Sequence, residues 1–261
     1  MITGARRRVA SNDVLGAPLG VDVDAHPVAA ESVARAVRAE VARLNRIFTP
    51  LDPESEFSRW RAGAQDGTRM SSDLAKVLAA SERFWVFSKG AFHPGAAPLE
   101  LPYTAVGDPV RRTGDCSQVD LSSIARGYIL DCALEAGWRL GLASAITVNA
   151  AGNQRHRGAG GVRIALGEPS GTRPHAPALE TIRLKDAALT RSSRPNDEIV
   201  TVAALAPDSM TADVLAVVVG SGAASVGTNL PGCAWLVVHA DGDVERSDGW
   251  PNVGATAIVE A

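Results

Sequence analysis

Ser144–Leu166 reads SAITVNAAGNQRHRGAGGVRIAL. Two apolar, β-branched runs stand in it, Ser144–Asn149 and Gly161–Leu166, with no helical period between them. Two more such runs follow at Leu179–Leu184 and Glu198–Leu205, bounded by Gly, Pro and Asn clusters. Strands that follow one another without helices do not build a doubly wound parallel sheet. They place the chain in the α+β class, as a mixed sheet flanked by helices. Within the stretch, HRGAGG (His156–Gly161) has a superficial likeness to a phosphate-cradling loop. It opens no helix and lacks the full G-x-G-x-x-G spacing, so it reads as a hairpin turn.

Outward from this stretch the pattern changes. Leu19–Asp24, LGVDVD, alternates apolar and acidic residues as a half-buried strand does. A helix opens at Pro27, because Ala30, Val33, Val37, Val41, Leu44 and Phe48 recur at helical spacing and Pro50 lies just beyond. A second helix is expected over Asp73–Lys89, capped by Ser71 or Ser72 and stopped by Gly90. SQVDLSS (Ser117–Ser123) reads as a short strand running into a third helix, Ile124–Leu140, with Gly141 as its C-cap. CAWLVVH (Cys233–His239) is a further strand, turned by Asp241-Gly242-Asp243. Glu100–Gly114 and Gly167–Pro177 are Pro/Gly-rich surface loops. With no internal repeat and no linker, residues 14–261 form one domain, preceded by a flexible stretch at 1–13.

Composition excludes several classes of function. The 261 residues carry a net charge of -3 and only 5% aromatics, which argues against a phosphate-binding face or a base-stacking platform for nucleic acid. Cys116, Cys132 and Cys233 have neither the parity nor the spacing of a disulfide framework or a zinc site, and read as reduced, mostly buried thiols. Arg6-Arg7-Arg8 precedes no apolar signal core, and no apolar run reaches the length of a membrane span. The expectation is a cytoplasmic chain without a membrane partner. The five histidines are scattered, and G-x-S-x-G, H-E-x-x-H and G-x-x-x-x-G-K-[ST] are absent.

Four segments carry the chemistry together: NRIFTPLDPESEFSRW (Asn45–Trp60), GAFHPGAAPL (Gly90–Leu99), VDLSSIARGYILD (Val119–Asp131) and APDSMTADVLAVVVG (Ala206–Gly220). A fifth, ITVNAAGNQ (Ile146–Gln154), lies between the last two. In order and spacing they resemble the blocks of the ApbE-like FAD:protein FMN transferases. The resemblance spans about Val14 to Val238 and implies a single-domain, T-fold-like α+β protein. It implies FAD as substrate and a magnesium ion that helps cleave the FAD pyrophosphate. The FMN half then moves onto a threonine of a partner flavoprotein. Hard oxygen ligands and positioned cations suit such phosphoryl chemistry.

Residue by residue, the resemblance implies that Asp120 contacts the flavin and that the Ser123 carbonyl and Asp213 hold the metal. Arg126 replaces a lysine beside the pyrophosphate, keeping the charge but changing the donor geometry. The Ala91-Phe92-His93 turn lines the FAD site, with His93 in place of an aspartate. Leu51 replaces a tyrosine that lies against the flavin ring, Leu15 replaces a flavin-contacting methionine, and Asn153 replaces another aspartate. Val217 stands where the family has a threonine ligand, and valine offers no oxygen. The family's histidine segment has no counterpart, since only RPNDEI bridges ALTRSS (Ala187–Ser193 includes it) and VTVAALAPDS. No catalytic residue is therefore assigned. Ser192, Ser193 and Asp197, in this shortened loop, are candidates to replace a lost oxygen.

Two readings stay open for the acids. In the first turn of a helix, Asp213 serves as a capping group or as a ligand, and Asp120 caps the next helix equally well. Two functions stay open accordingly: a divergent FAD:protein FMN transferase, or a catalytically impaired family member that binds a flavin or nucleotide as a binding or partner protein.

Overall fold

The computed structural model describes residues 5–63, 70–95, 100–105, 110–166, 179–193, 197–227, 230–252 and 255–257. The loop expected at Gly167–Pro177, part of that at Glu100–Gly114 and residues 96–99 of the second block lie outside them. In chain order the elements are β1 (Ala5–Val14), β2 (Ala17–Ala25), α1 (Pro27–Phe48), α2 (Glu56–Ala62), α3 (Ser72–Phe87), β3 (Tyr103–Thr104), β4 (Arg111–Arg112) and α4 (Ser122–Trp138). They continue as β5 (Ala145–Ala150), β6 (Asn153–Gly158), β7 (Val162–Leu166), β8 (Glu180–Leu184), β9 (Ala188–Ser193) and β10 (Ile199–Ala206). The last are α5 (Ser209–Gly220), α6 (Ala224–Gly227), β11 (Ala234–His239), β12 (Val244–Arg246) and β13 (Ala255–Ala257).

Eight strands form one sheet in the order β1-β2-β5-β6-β9-β10-β11-β12, and β13-β8-β7 form a smaller one. The α+β class is as expected. Every pairing among the described residues is antiparallel, where a mixed sheet was anticipated. For β1–β2, β5–β6, β9–β10 and β11–β12, consecutive strands joined by short connections, no other pairing is open. β10 shows why its sequence is apolar but for Thr201. Val202 and Ala204 face Leu215, Ala216 and Val219 of α5, whereas Ala203 and Leu205 face Ile164, Leu166, Ile182 and Leu184 of the small sheet. A strand covered on both faces has no wet side to mark with polar residues.

α1 buries the face its periodicity marked, with Val33, Val37, Val41, Leu44 and Phe48 essentially inaccessible, each worth about 1.5–3 kcal/mol of burial. Ser71 caps α3, its hydroxyl accepting from the Leu74 amide at 3.2 Å. Three expectations are corrected. Residues 5–14 do not trail free but pair with β2 as β1, because β2 otherwise leaves an open ladder edge. Ser117–Ser123 is not a strand, since Asp115 and Asp120 accept from the Ser117 and Ser122 amides at 2.9 and 2.8 Å and fold the backbone into Asx turns. His156–Gly161 is not the hairpin. The hairpin lies earlier, at Ala151-Gly152, where φ is +48° and +88° and Ala150 pairs with Asn153, as in a type I′ turn. Among the described residues no helix is long and apolar enough to cross a membrane.

Candidate functional site

The first turn of α4 borders a cleft of about 540 Å³, lined by Pro50, Arg61, His93, Gly95, Gln118, Asp120 and Ser123 among others. That volume lies in the range of small-molecule and cofactor sites, about 300–1,000 Å³. Three segments distant in sequence meet here. The turn carrying His93 is pressed onto the backbone before α4. At Gly95 φ is +126°, and a Cβ would stand 2.2 Å from the Gln118 carbonyl oxygen, so only glycine fits. The His93 ring lies 3.1 Å from the Gly95 carbonyl through Nδ1. Asp120 is exposed at the rim while its Oδ1 accepts from the Ser122 amide, so it shapes the turn leading into α4 and lines the cleft at once. Arg61 enters from α2, its guanidinium 5.4 Å from the Phe57 ring centroid, and brings a cation that motif reasoning missed.

Behind this turn lies a buried polar cluster. Asp213 is 5% exposed, in the second turn of α5. It does not cap the helix. Asp208 does, accepting from the Thr211 amide at 2.8 Å. Asp213 Oδ1 instead accepts from the Thr190 hydroxyl on β9 at 2.9 Å. Its Oδ2 has no hydrogen-bond partner among the described residues. Burial pushes the carboxyl up to about 7, with Thr190, the Arg126 charge and the Gly127 amide holding it down. In an α-helix the amide of 127 faces the carbonyl of 123, so the Ser123 carbonyl belongs to the turn that touches Asp213. Ser123 thus joins cleft and cluster.

The close approach of α4 and α5 has its own cause. A Cβ on Gly127 would stand 2.5 Å from the Ser209 carbonyl oxygen. One turn on, Asp131 accepts from the Ser209 and Met210 amides at 2.9 and 3.0 Å, and Arg155 stands 3.3 Å from it. Burial raises the Asp131 carboxyl to about 6 despite these partners. The pair of helices is locked at the point where Asp213 meets α4.

The ApbE family's sequence profile matches residues 15–105 and 99–196, most of the chain. The chain belongs to the ApbE family. Solved ApbE structures share its fold. The ApbE protein of Thermotoga maritima is 18% identical, with a TM-score of 0.80 over 96% of this chain and 99% of that one. The flavin transferase ApbE of Vibrio cholerae is 19% identical, with a TM-score of 0.75 over 95% and 100%. The flavinyl transferase ApbE of Pseudomonas stutzeri, in its apo form, is 15% identical, with a TM-score of 0.77 over 97% and 99%. No curated protein matches the sequence.

In this ApbE chain the expected residues divide. His93, Asp120 and Ser123 border the cleft; Arg126 and Asp213 lie behind it. Phe92 is fully buried against Phe84, so its side chain belongs to the core and Ala91 beside it is half-buried. Leu51 is 92% exposed next to the cleft residue Pro50. Leu15 sits half-buried in the turn between β1 and β2, its amide 3.4 Å from Asn45 Oδ1. The hydroxyl beside Asp213 comes from Thr190, not from Ser192, Ser193 or Asp197. Nothing about Thr190 in the sequence marks it out, because its partner lies on another element.

Proposed function

We propose that this chain is a flavin transferase: it takes FAD into the cleft at the start of α4, breaks the pyrophosphate, and passes the FMN half to a threonine of a partner flavoprotein. The observation that carries this reading is the buried Asp213 carboxylate, with one oxygen unpartnered, set behind the turn of α4 that borders the cleft. Family membership and the flavin transferases among the matching structures support it.

The residues fit a magnesium ion. Among the described residues no three His, Cys, Asp or Glu side chains group to hold a metal, but a hard cation takes neutral oxygens too. Asp213 and the Ser123 carbonyl would hold it, leaving other positions to water and phosphate. When bound, the ion neutralises charge on the pyrophosphate. The protein's own groups supply the rest. The positive end of the α4 dipole favours a phosphate beside its N-terminal turn. Arg126 and Arg61 add fixed positive charge that needs no reorganisation as charge develops. Asp120 and His93 orient the flavin end at the rim. In the transfer, the acceptor hydroxyl oxygen bonds to the FMN phosphorus and releases its proton to solvent, the bridging P–O bond breaks and AMP leaves.

The test is incubation with FAD, magnesium and a threonine-bearing acceptor domain. Covalent flavin on the acceptor and release of AMP are expected; neither product would refute transfer. The second reading, a binding protein that has lost catalysis, is favoured by Val217, which offers no oxygen one turn beyond Asp213. FAD binding by titration calorimetry that is indifferent to magnesium, with no product, would select it.

A further inference from the structure

Asp213 Oδ2 is not the only unsatisfied atom in its surroundings. Asn153, on β6, pairs directly with Thr190 across the β6–β9 ladder. Directly opposed residues of antiparallel strands point to the same face, with Cβ atoms about 5 Å apart. Asn153 is 2% exposed and Thr190 6%, so both lie under the helices. The Asn153 Nδ2 is buried and has no hydrogen-bond partner among the described residues. A buried amide donor and a buried carboxylate acceptor, each unpaired and each carried by a neighbour of the same threonine, would each cost about 1–3 kcal/mol if left without a partner. Turned by half a rotation, the Asn153 amide sets Oδ1, a possible ligand, where Nδ2 stands, without losing any bond of Nδ2.

We infer that Thr190 and Asn153 supply the side-chain oxygens that position 217 lacks, so that a divalent hard cation is held by Asp213 Oδ2, Thr190 Oγ1 and Asn153 Oδ1. The inference rests on the flavin-transfer reading for its purpose, since that reading needs a cation near the pyrophosphate. The site itself stands on the three side chains. Two neutral oxygens and one carboxylate form a donor set suited to Mg²⁺ or Mn²⁺, which take oxygen ligands and keep several waters. The change moves one ligand from the helix to the sheet. Val217 is then free to pack, and it is half-buried against the main core.

The experiment is titration of the full chain with MnCl2 alone, free Mn²⁺ being read by electron paramagnetic resonance. Alongside, FAD binding is read by flavin fluorescence in the presence of EDTA. One Mn²⁺ site is expected in the unaltered protein. Thr190→Val and Asn153→Leu each weaken it by at least about tenfold. Asn153→Asp tightens it by adding a charge. Val217→Thr, introduced into the Thr190→Val protein, restores affinity by putting an oxygen back on α5, which a misfolded variant could not do. The inference is overturned if the unaltered protein has no Mn²⁺ site, or if Thr190→Val and Asn153→Leu leave Mn²⁺ affinity unchanged. FAD binding without a Mn²⁺ site would overturn this inference and leave the flavin reading standing. A Mn²⁺ site lost in Thr190→Val, in a protein that binds no FAD, would support the site and remove the flavin reading.

Discussion

Asp213 shows how far a single residue's meaning depends on what faces it. At the head of TADVLAVVVG it has the look of a helix cap, but the cap is Asp208, five residues earlier. Its carboxyl is buried and raised to about 7, and Asp131 nearby is raised to about 6, against an unfolded value of 3.8. Between 3.8 and these values the folded protein holds protons that the unfolded chain has released. Stability therefore falls as pH rises through that window and the loss is complete above about pH 7. The groups facing Asp131 are the Ser209 and Met210 amides, Asp208 and Arg155; those facing Asp213 are Thr190, Arg126, Gly127 and Asp131. Thermal unfolding of the ligand-free protein is expected at a higher temperature near pH 5 than near pH 8, with Asp213→Asn narrowing the difference. A Tm that rises with pH over this range would contradict the burial argument.

At the scale of elements, the junction of α4 with α5 sets the site. Gly127 permits the approach and Asp131 holds it by taking two amides of the first turn of α5. Gly127→Ala would force a methyl against the Ser209 carbonyl, and a loss of about 1–3 kcal/mol is expected by urea unfolding. Asp131→Ala strands two amides and leaves Arg155 without that partner; a similar loss, about 1–3 kcal/mol, is expected, with Mn²⁺ affinity falling as α5 shifts. Asp208→Ala removes an ordinary N-cap and is expected to cost about 1 kcal/mol while leaving the cleft residues in place. Helices were the elements most legible in the sequence. α1 runs from Pro27 to Phe48, with Pro27 and Pro50 bracketing it as their chemistry requires. β6, NQRHRG, escaped notice because its charged residues mask the period of two. It is a strand because β5 and β9 pair with it from both sides.

For the whole molecule, the main sheet carries helices on one face, and the small sheet covers part of the other. Even the first described residues belong to it: β1 completes an edge, so deleting residues 1–13 is expected to lower the Tm by several degrees and expose the ladder of β2. An unchanged Tm would mean that β1 contributes nothing to the sheet. The sequence by itself determined the α+β class, the amphipathic face of α1, the cap of α3 and, through five blocks in order, the resemblance to the ApbE family. These rest on residues near one another along the chain, or on their order. Only the tertiary structure decided what Asp213 touches. Asn153, Thr190 and Asp213 belong to β6, β9 and α5, and no spacing along the chain encodes their meeting. Antiparallel pairing brings the first two face to face, and the packing of α5 on α4 brings the third.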